Sequence, residues 1–386
     1  MKIKQLAKSA SFLLVAGFIS FTIPSCSSEE EIIILQDVKV NSESFNLAED
    51  GSTTIEVKVV PENTPIAKAV LSTSLFNESG VFEVTRLTPK GNGVWQIAAK
   101  VKDFSRIQNG QDVILSVYQE DNMYIQTTLK TNDPYSIEGK YTPVHPQAFT
   151  FYSAEDGKLM EIPFIITADN AADLAAISYD NIKVVNGTGS STPSISITHF
   201  AIAPMTGKTG FYLQVDNAQL ETVKKAITTI AFLDCRVMIT GPNGRVAYTP
   251  VRLIVSSPKC IIKDDQLSLL HTELSAPEFN RQITIDMTHD FYRLGKQNDK
   301  TTFEAFENRG LYNSQGEMAD ADPQFISLGY TTQGKNTTCN VTLKHDATIP
   351  AIGTYHMVER LKGYWEYDGK KYPTVCTDLQ FQITIK

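Results

Sequence analysis

A two-residue alternation of apolar and polar side chains runs through most of the chain and constrains its fold more than any other feature. Residues 54–60, TIEVKVV, place Ile55, Val57 and Val59 at alternate positions with charged residues between them. Successive side chains of a β-strand point to opposite faces, so these three aliphatic side chains share one buried face. Helical periodicity is scarce, and 216–226 is the main exception, with an N-cap Asp. We therefore predict an all-β fold.

The strands also indicate several domains. Three segments repeat the same order of a strand, a polar link, a second strand, a turn and a closing strand: 93–130, 209–255 and 336–385. Proline follows the first two closing strands, and proline suits a linker because it lacks the N–H that a sheet requires.

The predicted boundaries lie near 133 and 258, which gives tandem β-sandwich domains of roughly 100 residues. The predicted domains are 32–133, 134–258 and 259–386.

The N-terminus carries an export signal. Lys2, Lys4 and Lys8 precede an apolar run, SFLLVAGFISF, at 11–21. This run is too short to span a bilayer, which needs about 20 residues, and it is typical of a secretory signal peptide. We predict cleavage after residue 25.

The residues around Cys26 resemble known bacterial sequences. IPSC at 23–26 resembles the lipobox of bacterial lipoproteins, from which Pro24 departs; the resemblance implies that Cys26 carries a lipid. An ordinary signal peptide with a chance cysteine is the alternative. CSSEEE at 26–31 is similar to the export tag of Bacteroidota surface lipoproteins, which implies an outer-membrane protein facing the cell exterior. A plain solvated, acidic tether is the alternative.

The first domain, 32–133, resembles the bacterial immunoglobulin-like modules common in such lipoproteins, on its strand pattern and on Gly93-Val94-Trp95. The resemblance implies a spacer that lifts the distal domains away from the lipid. Fold alone implies no activity.

Charge limits the partners. The whole chain has a net charge of −8, and removal of residues 1–25 with their three lysines takes it to −11. A nucleic-acid partner requires clustered basic residues, so we expect none. The expected partners are the membrane, through the lipid alone, and a glycan or a surface protein.

No catalytic or metal-binding motif is present in the sequence. The six histidines are scattered, and no CxxC, HExxH or GxSxG occurs. We predict no enzyme activity, no cofactor and no metal. A calcium site on the oxygen-rich residues 313–322 and an unrecognised pair of carboxylates are the alternatives. Besides Cys26, the chain has four cysteines: Cys235, Cys260, Cys339 and Cys376. They can form disulfides or remain as buried thiols. Alternation places Cys235 and Cys339 on apolar faces, which favours buried thiols.

The sequence YWEYDGKKY at 364–372 is the candidate binding site. Asp-Gly between strand-like residues indicates a type I′ hairpin, in which Tyr367 opposes Lys370 and Trp365 opposes Tyr372. Trp365, Tyr367 and Tyr372 then share one face, which we predict to be an exposed platform that binds a ligand. The alternative is that these rings only stabilise the hairpin as cross-strand pairs.

Three classes of function follow, of which a non-catalytic surface lipoprotein that binds glycan is favoured. Its layout is similar to that of accessory starch-binding lipoproteins of Bacteroidota, without a motif that transfers their binding residues. The alternative is a fimbrillin-like structural or adhesin protein. Fimbrillins are often cut after an early arginine, and here the first is Arg86, inside the first domain. An enzyme with an unrecognised site ranks last.

We expect Cys26→Ala to move the protein from the detergent phase to the aqueous phase in a phase-partition assay, because the thioether-linked lipid would be the only anchor. Ser27→Ala is the matched control and should leave the protein in the detergent phase. A Cys26→Ala protein that stays with the detergent would contradict the lipoprotein assignment.

Overall fold

The structure is a computed structural model that describes 33–73, 80–120, 123–187, 195–228, 230–275, 280–286, 301–319, 326–333, 336–344 and 348–386. The predicted signal peptide, the predicted lipid-attachment residue Cys26 and the predicted tether lie outside these ranges. Across the described ranges, no helix combines the length and the apolar character that crossing a membrane requires.

The first sandwich forms from the alternating strands predicted above. Its strands are β1 (Asp37–Val40), β2 (Ser44–Asn46), β3 (Ser52–Val60), β4 (Lys68–Ser72), β5 (Phe82–Gly91), β6 (Val94–Val101), β7 (Asp112–Glu120) and β8 (Met123–Asn132). One sheet has the order β1-β3-β6-β5 and the other β2-β8-β7-β4. The predicted face of β3 is confirmed, since Ile55, Val57 and Val59 are buried between the sheets.

The second sandwich has the same plan. Its strands are β9 (Tyr141–Val144), β10 (Ala148–Thr150), β11 (Ile162–Ala168), β12 (Ile182–Asn186), β13 (Phe200–Pro204), β14 (Gly210–Val215), β15 (Ile230–Thr240) and β16 (Val246–Ser256). The sheet orders are β10-β16-β15-β12 and β13-β14-β11-β9. Short helices α1 (Ala171–Ala175) and α2 (Leu220–Ala226) lie between strands. The predicted cap is confirmed, because Asp216 accepts a hydrogen bond from the Ala218 N–H and caps the 3-10 turn Asn217–Gln219, which leads directly into α2.

The third sandwich repeats this plan with longer strands. Its elements are β17 (Lys259–Leu269), α3 (His271–Leu274), β18 (Asn280–Asp286), β19 (Thr301–Asn313), β20 (Ile326–Gln333), β21 (Asn336–Lys344), β22 (Gly353–Tyr367) and β23 (Lys370–Ile385). The sheet orders are β17-β23-β22-β19 and β18-β21-β20.

All three sandwiches share an immunoglobulin-like strand order. In each, an early strand pairs in parallel with the last strand: β2 with β8, β10 with β16, and β17 with β23. The segments that repeat in the sequence correspond each time to the last three strands of a sandwich. The prediction of an all-β chain of tandem β-sandwiches is confirmed. Whether the boundaries near 133 and 258 separate independently folding units stays a prediction.

A buried arginine joins the first sandwich to the second. Arg245, 3 % exposed, donates from Nε and Nη2 to the Asp133 carboxylate at 3.0 and 3.1 Å. It also donates to the backbone carbonyls of Ala48 and Glu49. Its guanidinium lies 4.3 Å from the centroid of the Phe104 ring. A bidentate pair of this kind fixes orientation as well as distance, so the first junction is a specific contact.

The third sandwich buries a carboxyl group. Glu359 is 3 % exposed and lies on the same face of β22 as Met357 and Leu361, which are also buried. Burial raises the pKa of Glu359 to about 7, because a low-dielectric surrounding disfavours the charged form.

We expect Glu359 to make stability depend on pH. Its pKa is about 7 when folded and about 4.3 when unfolded. Folding therefore keeps a proton on Glu359 that the unfolded chain loses, and stability falls as pH rises from about 4.3 to 7. Glu359→Gln should remove this fall and raise the free energy of unfolding at pH 8 by on the order of 3 kcal/mol.

Urea unfolding at several pH values measures the effect. Glu366→Gln, an exposed position on the same strand, is the matched control and should follow the parent. A pH dependence that Glu359→Gln leaves unchanged would contradict this assignment.

Candidate functional site

The hairpin between β22 and β23 has the predicted geometry. Asp368 and Gly369 have φ values of 53° and 69°, as a type I′ turn requires. Tyr367 opposes Lys370 and Trp365 opposes Tyr372. The rings of Tyr367 and Tyr372 have their centroids 5.3 and 5.6 Å from that of Trp365. The shared face of the three rings is therefore confirmed.

The predicted exposure of this face is wrong. Trp365 is 1 % exposed and Tyr372 is 5 % exposed, while Tyr367 is partly buried. They pack on Ile165 of β11 and Met205, which belong to the second sandwich. We call this group the junction cluster. Binding by Trp365, Tyr367 and Tyr372 as an open platform is not supported, because the rings that would contact a ligand are covered by protein.

The length of the hairpin explains the difference. β22 and β23 have 15 and 16 residues, and their turn reaches the β13–β14 connection of the second sandwich. There Lys208 pairs with Asp368 at 2.9 Å and lies 5.3 Å from the centroid of Tyr367. The third sandwich thus supplies the rings and the second sandwich supplies the surface that buries them.

Polar contacts extend this junction along the early part of β23. The Ala154 N–H donates to the Cys376 carbonyl and the Cys376 N–H donates to Thr150 Oγ1, both at 3.0 Å. Arg360 donates to both oxygens of Asp378 at 2.8 and 3.1 Å and to the Ala154 carbonyl at 2.9 Å. These hydrogen bonds join the 150–154 segment to the third sandwich.

The junction is not fully satisfied. Trp365 Nε1 and Thr374 Oγ1 are buried without a hydrogen-bond partner in the described part of the chain. An unmade hydrogen bond at a buried donor costs about 1–3 kcal/mol. Apolar packing of the Trp365 ring has to outweigh this cost.

A groove opens beside the junction cluster, and we call it the junction groove. Its volume is about 720 Å³. One wall is the 153–161 segment of the second sandwich with Tyr212, and the other is formed by 362–364 and 370–376 of the hairpin strands. Of the three rings predicted to bind a ligand, Tyr372 lines this groove, and Trp365 and Tyr367 do not.

Rings and lysines alternate along the hairpin wall. Lys371 Nζ lies 4.1 Å from the centroid of Tyr364, and Lys370 Nζ lies 4.9 Å from that of Tyr372. Tyr364 and Tyr212 are both partly exposed. The wall therefore offers apolar ring surface and ammonium donors side by side.

The opposite wall carries carboxylates held in ion pairs. Glu155 pairs with Lys362 at 2.8 Å, and this hydrogen bond lowers the pKa of Glu155. Asp156 pairs with Lys158 at 2.9 Å, and the hydrogen bonds from Lys158 lower the pKa of Asp156 to about 2. Both carboxylates are therefore ionised at neutral pH.

Both thiols whose side chains the structure describes are buried. Cys376 is buried and free. Cys235 is also a free buried thiol, and burial raises its pKa to about 12, so it stays protonated. The predicted apolar face of Cys235 is confirmed. The side chains of Cys260 and Cys339 lie outside the described ones.

Sequence reasoning missed the wall from the second sandwich. Asp156-Gly157 is typical of a hairpin turn that would pair β10 with β11, and Phe149, Phe151 and Phe164 are core residues. Yet β10 pairs with β16 instead of β11, so the 153–161 segment leaves the sheet and faces the neighbouring sandwich. In the sequence, the charged residues Glu155, Asp156 and Lys158 indicate that this segment is not part of the core.

Comparisons with known proteins give weak likenesses. No family model matches the chain, and no curated protein sequence matches it. Among solved structures, protocadherin gammaB7 EC3-6 is 9 % identical with a TM-score of 0.19, covering 90 % of this chain and 73 % of that one. Mouse cadherin-23 EC22-24 is 10 % identical with a TM-score of 0.17, covering 90 % and 98 %.

A mutant of CfaE, the CFA/I adhesin of enterotoxigenic E. coli, is 7 % identical with a TM-score of 0.20, covering 89 % and 97 %. Superpositions this poor carry no argument about function.

We expect Trp365→Ala to destabilise the chain. Truncating a buried aromatic side chain costs about 3–5 kcal/mol, and Trp365 is the largest fully buried side chain described. Trp365→Phe should cost less, because it keeps most of the ring and removes the unpaired N–H. Urea unfolding followed by circular dichroism measures both.

Glu366→Ala is the matched control, since Glu366 is the exposed next residue on β22; its effect should stay within about 0.5 kcal/mol. If Trp365→Ala unfolded at the same urea concentration as the parent, the hairpin would not be docked on the second sandwich.

Proposed function

We propose that this chain is a non-catalytic, lipid-anchored surface protein that binds a glycan in the junction groove. The observation that carries the proposal is the composition of the groove: partly exposed tyrosine rings beside lysines and carboxylates. Binding sites for small molecules combine apolar walls with a few placed polar groups. Phenol rings supply the apolar surface for a pyranose, and the charged groups supply hydrogen bonds for its hydroxyls.

The fixed walls favour binding. The two sides of the groove come from different sandwiches, but the junction cluster and the hydrogen bonds of Arg360, Ala154 and Cys376 hold them together. A site whose walls are already positioned loses less entropy when a ligand binds.

A peptide strand fits this groove less well than a sugar. Over 370–375, β23 pairs with β22, and in the described part of the chain no strand pairs with its other edge. Such an edge can accept a further strand. Pro373 lies on this edge and lines the groove, and proline lacks the N–H that an added strand needs.

The anchor and the location belong to the same proposal. The lipobox-like residues 23–26 and the acidic tether 26–31 favour a lipid-anchored protein on the outer membrane that faces the cell exterior. The first sandwich then serves as a spacer, and the Arg245 contact gives it a defined orientation towards the second.

A fimbrillin-like assembly protein is the second candidate. The position of Arg86 disfavours it. Arg86 lies within β5, where it pairs with Ala98 of β6. Cleavage after Arg86 would cut a strand of the first sandwich.

A glycan array probed with the full chain carrying Cys26→Ala tests binding. We expect at least one class of oligosaccharide to be retained, and Tyr364→Ala to weaken its binding several-fold with little change in melting temperature, because Tyr364 is partly exposed. Tyr124→Ala, an exposed ring of the first sandwich, is the matched control and should bind like the parent. If no glycan is retained, the proposal fails.

A further inference from the structure

We infer that the ligand of the junction groove is an anionic saccharide that bears carboxylate groups, such as a uronate-containing oligosaccharide. This inference rests on the proposed glycan binding and adds the chemical class of the glycan. Three observations on the groove carry it: its charge, the exposure of Lys370 and the position of the lysines over the rings.

The groove is positive within an acidic protein. Four lysines line it, against three carboxylates: Lys158, Lys362, Lys370 and Lys371 against Glu155, Asp156 and Glu161. The whole chain has a net charge of −8. A concave site with the opposite sign to the rest of the surface concentrates ligands of complementary charge.

Two of the four lysines are held in ion pairs, and the other two lie on the hairpin wall of the groove. Lys362 and Lys158 are neutralised by Glu155 and Asp156 across short hydrogen bonds. Lys370 is exposed, and its recorded contact is with the Tyr372 ring. An ammonium group held over a ring keeps its donors available for a carboxylate. The remaining carboxylate, Glu161, is exposed on the opposite wall.

The lysines also disfavour a neutral sugar. Lys371 and Lys370 lie over the rings of Tyr364 and Tyr372 at 4.1 and 4.9 Å from the centroids. A neutral pyranose that stacked on those covered faces would displace the cation and lose a favourable cation–π contact. A uronate keeps the cation in place, since its carboxylate pairs with the ammonium while the sugar ring lies against the edge of the phenol.

Titration calorimetry with oligogalacturonate and with its fully methyl-esterified form tests the inference, because the two probes share a backbone and differ in charge. The full chain carrying Cys26→Ala should bind the acid form more tightly, and rising salt should weaken that binding. Lys370→Met should weaken binding of the acid form about ten-fold or more, as the loss of one charge-assisted hydrogen bond predicts. Lys90→Met, at an exposed position of β5 in the first sandwich, should have no effect.

The outcomes separate the two proposals. Equal binding of acid and ester, or retention of neutral oligosaccharides alone on the array, overturns the carboxylate inference and leaves glycan binding standing. Failure of every uronate-bearing and neutral glycan to bind overturns both. Lys370→Met binding oligogalacturonate as tightly as the parent also overturns the inference, and its unchanged melting curve would show that the variant is folded.

Discussion

The burial of Trp365 between two sandwiches is the contact on which the candidate site depends. A hairpin long enough to leave its own sandwich places this ring against Ile165 and Met205. Once the ring is covered, the early part of β23 lies along the 150–161 segment, and the hydrogen bonds of Cys376 and Arg360 follow. The junction groove is the space left beside this contact, so its shape and its two walls follow from where one tryptophan is buried.

The two junctions fix the orientation of neighbouring sandwiches through different interactions. Arg245 joins the first two sandwiches through a buried bidentate ion pair with Asp133 and two backbone carbonyls. Such a contact forms only in a narrow range of distances and angles. Removal of either partner leaves the charge of the other buried without a counter-charge. The second junction relies on apolar packing with polar contacts around it. Together they give neighbouring sandwiches defined orientations.

The lysines of the groove contrast with the net negative charge of the chain. The whole chain has a net charge of −8, yet the hairpin concentrates lysines beside tyrosine rings. Glu155 and Asp156 pair with Lys362 and Lys158, whereas Lys370 is exposed. The proposed ligand class rests on this contrast between the whole chain and the one groove.

The sequence by itself determined the elements, and the tertiary structure decided what each element faces. Alternation identified the buried side of β3 and the core position of Cys235, and Asp368-Gly369 predicted a turn type and a register that are both confirmed, because these depend on neighbouring residues. The parallel closing pair of each sandwich, the partner of Arg245 and the burial of Trp365 involve residues far apart in the chain. A period of two shows that Trp365, Tyr367 and Tyr372 share a face; it holds no information on whether water or another sandwich covers that face, since the covering residues come from a segment about 160–200 positions earlier.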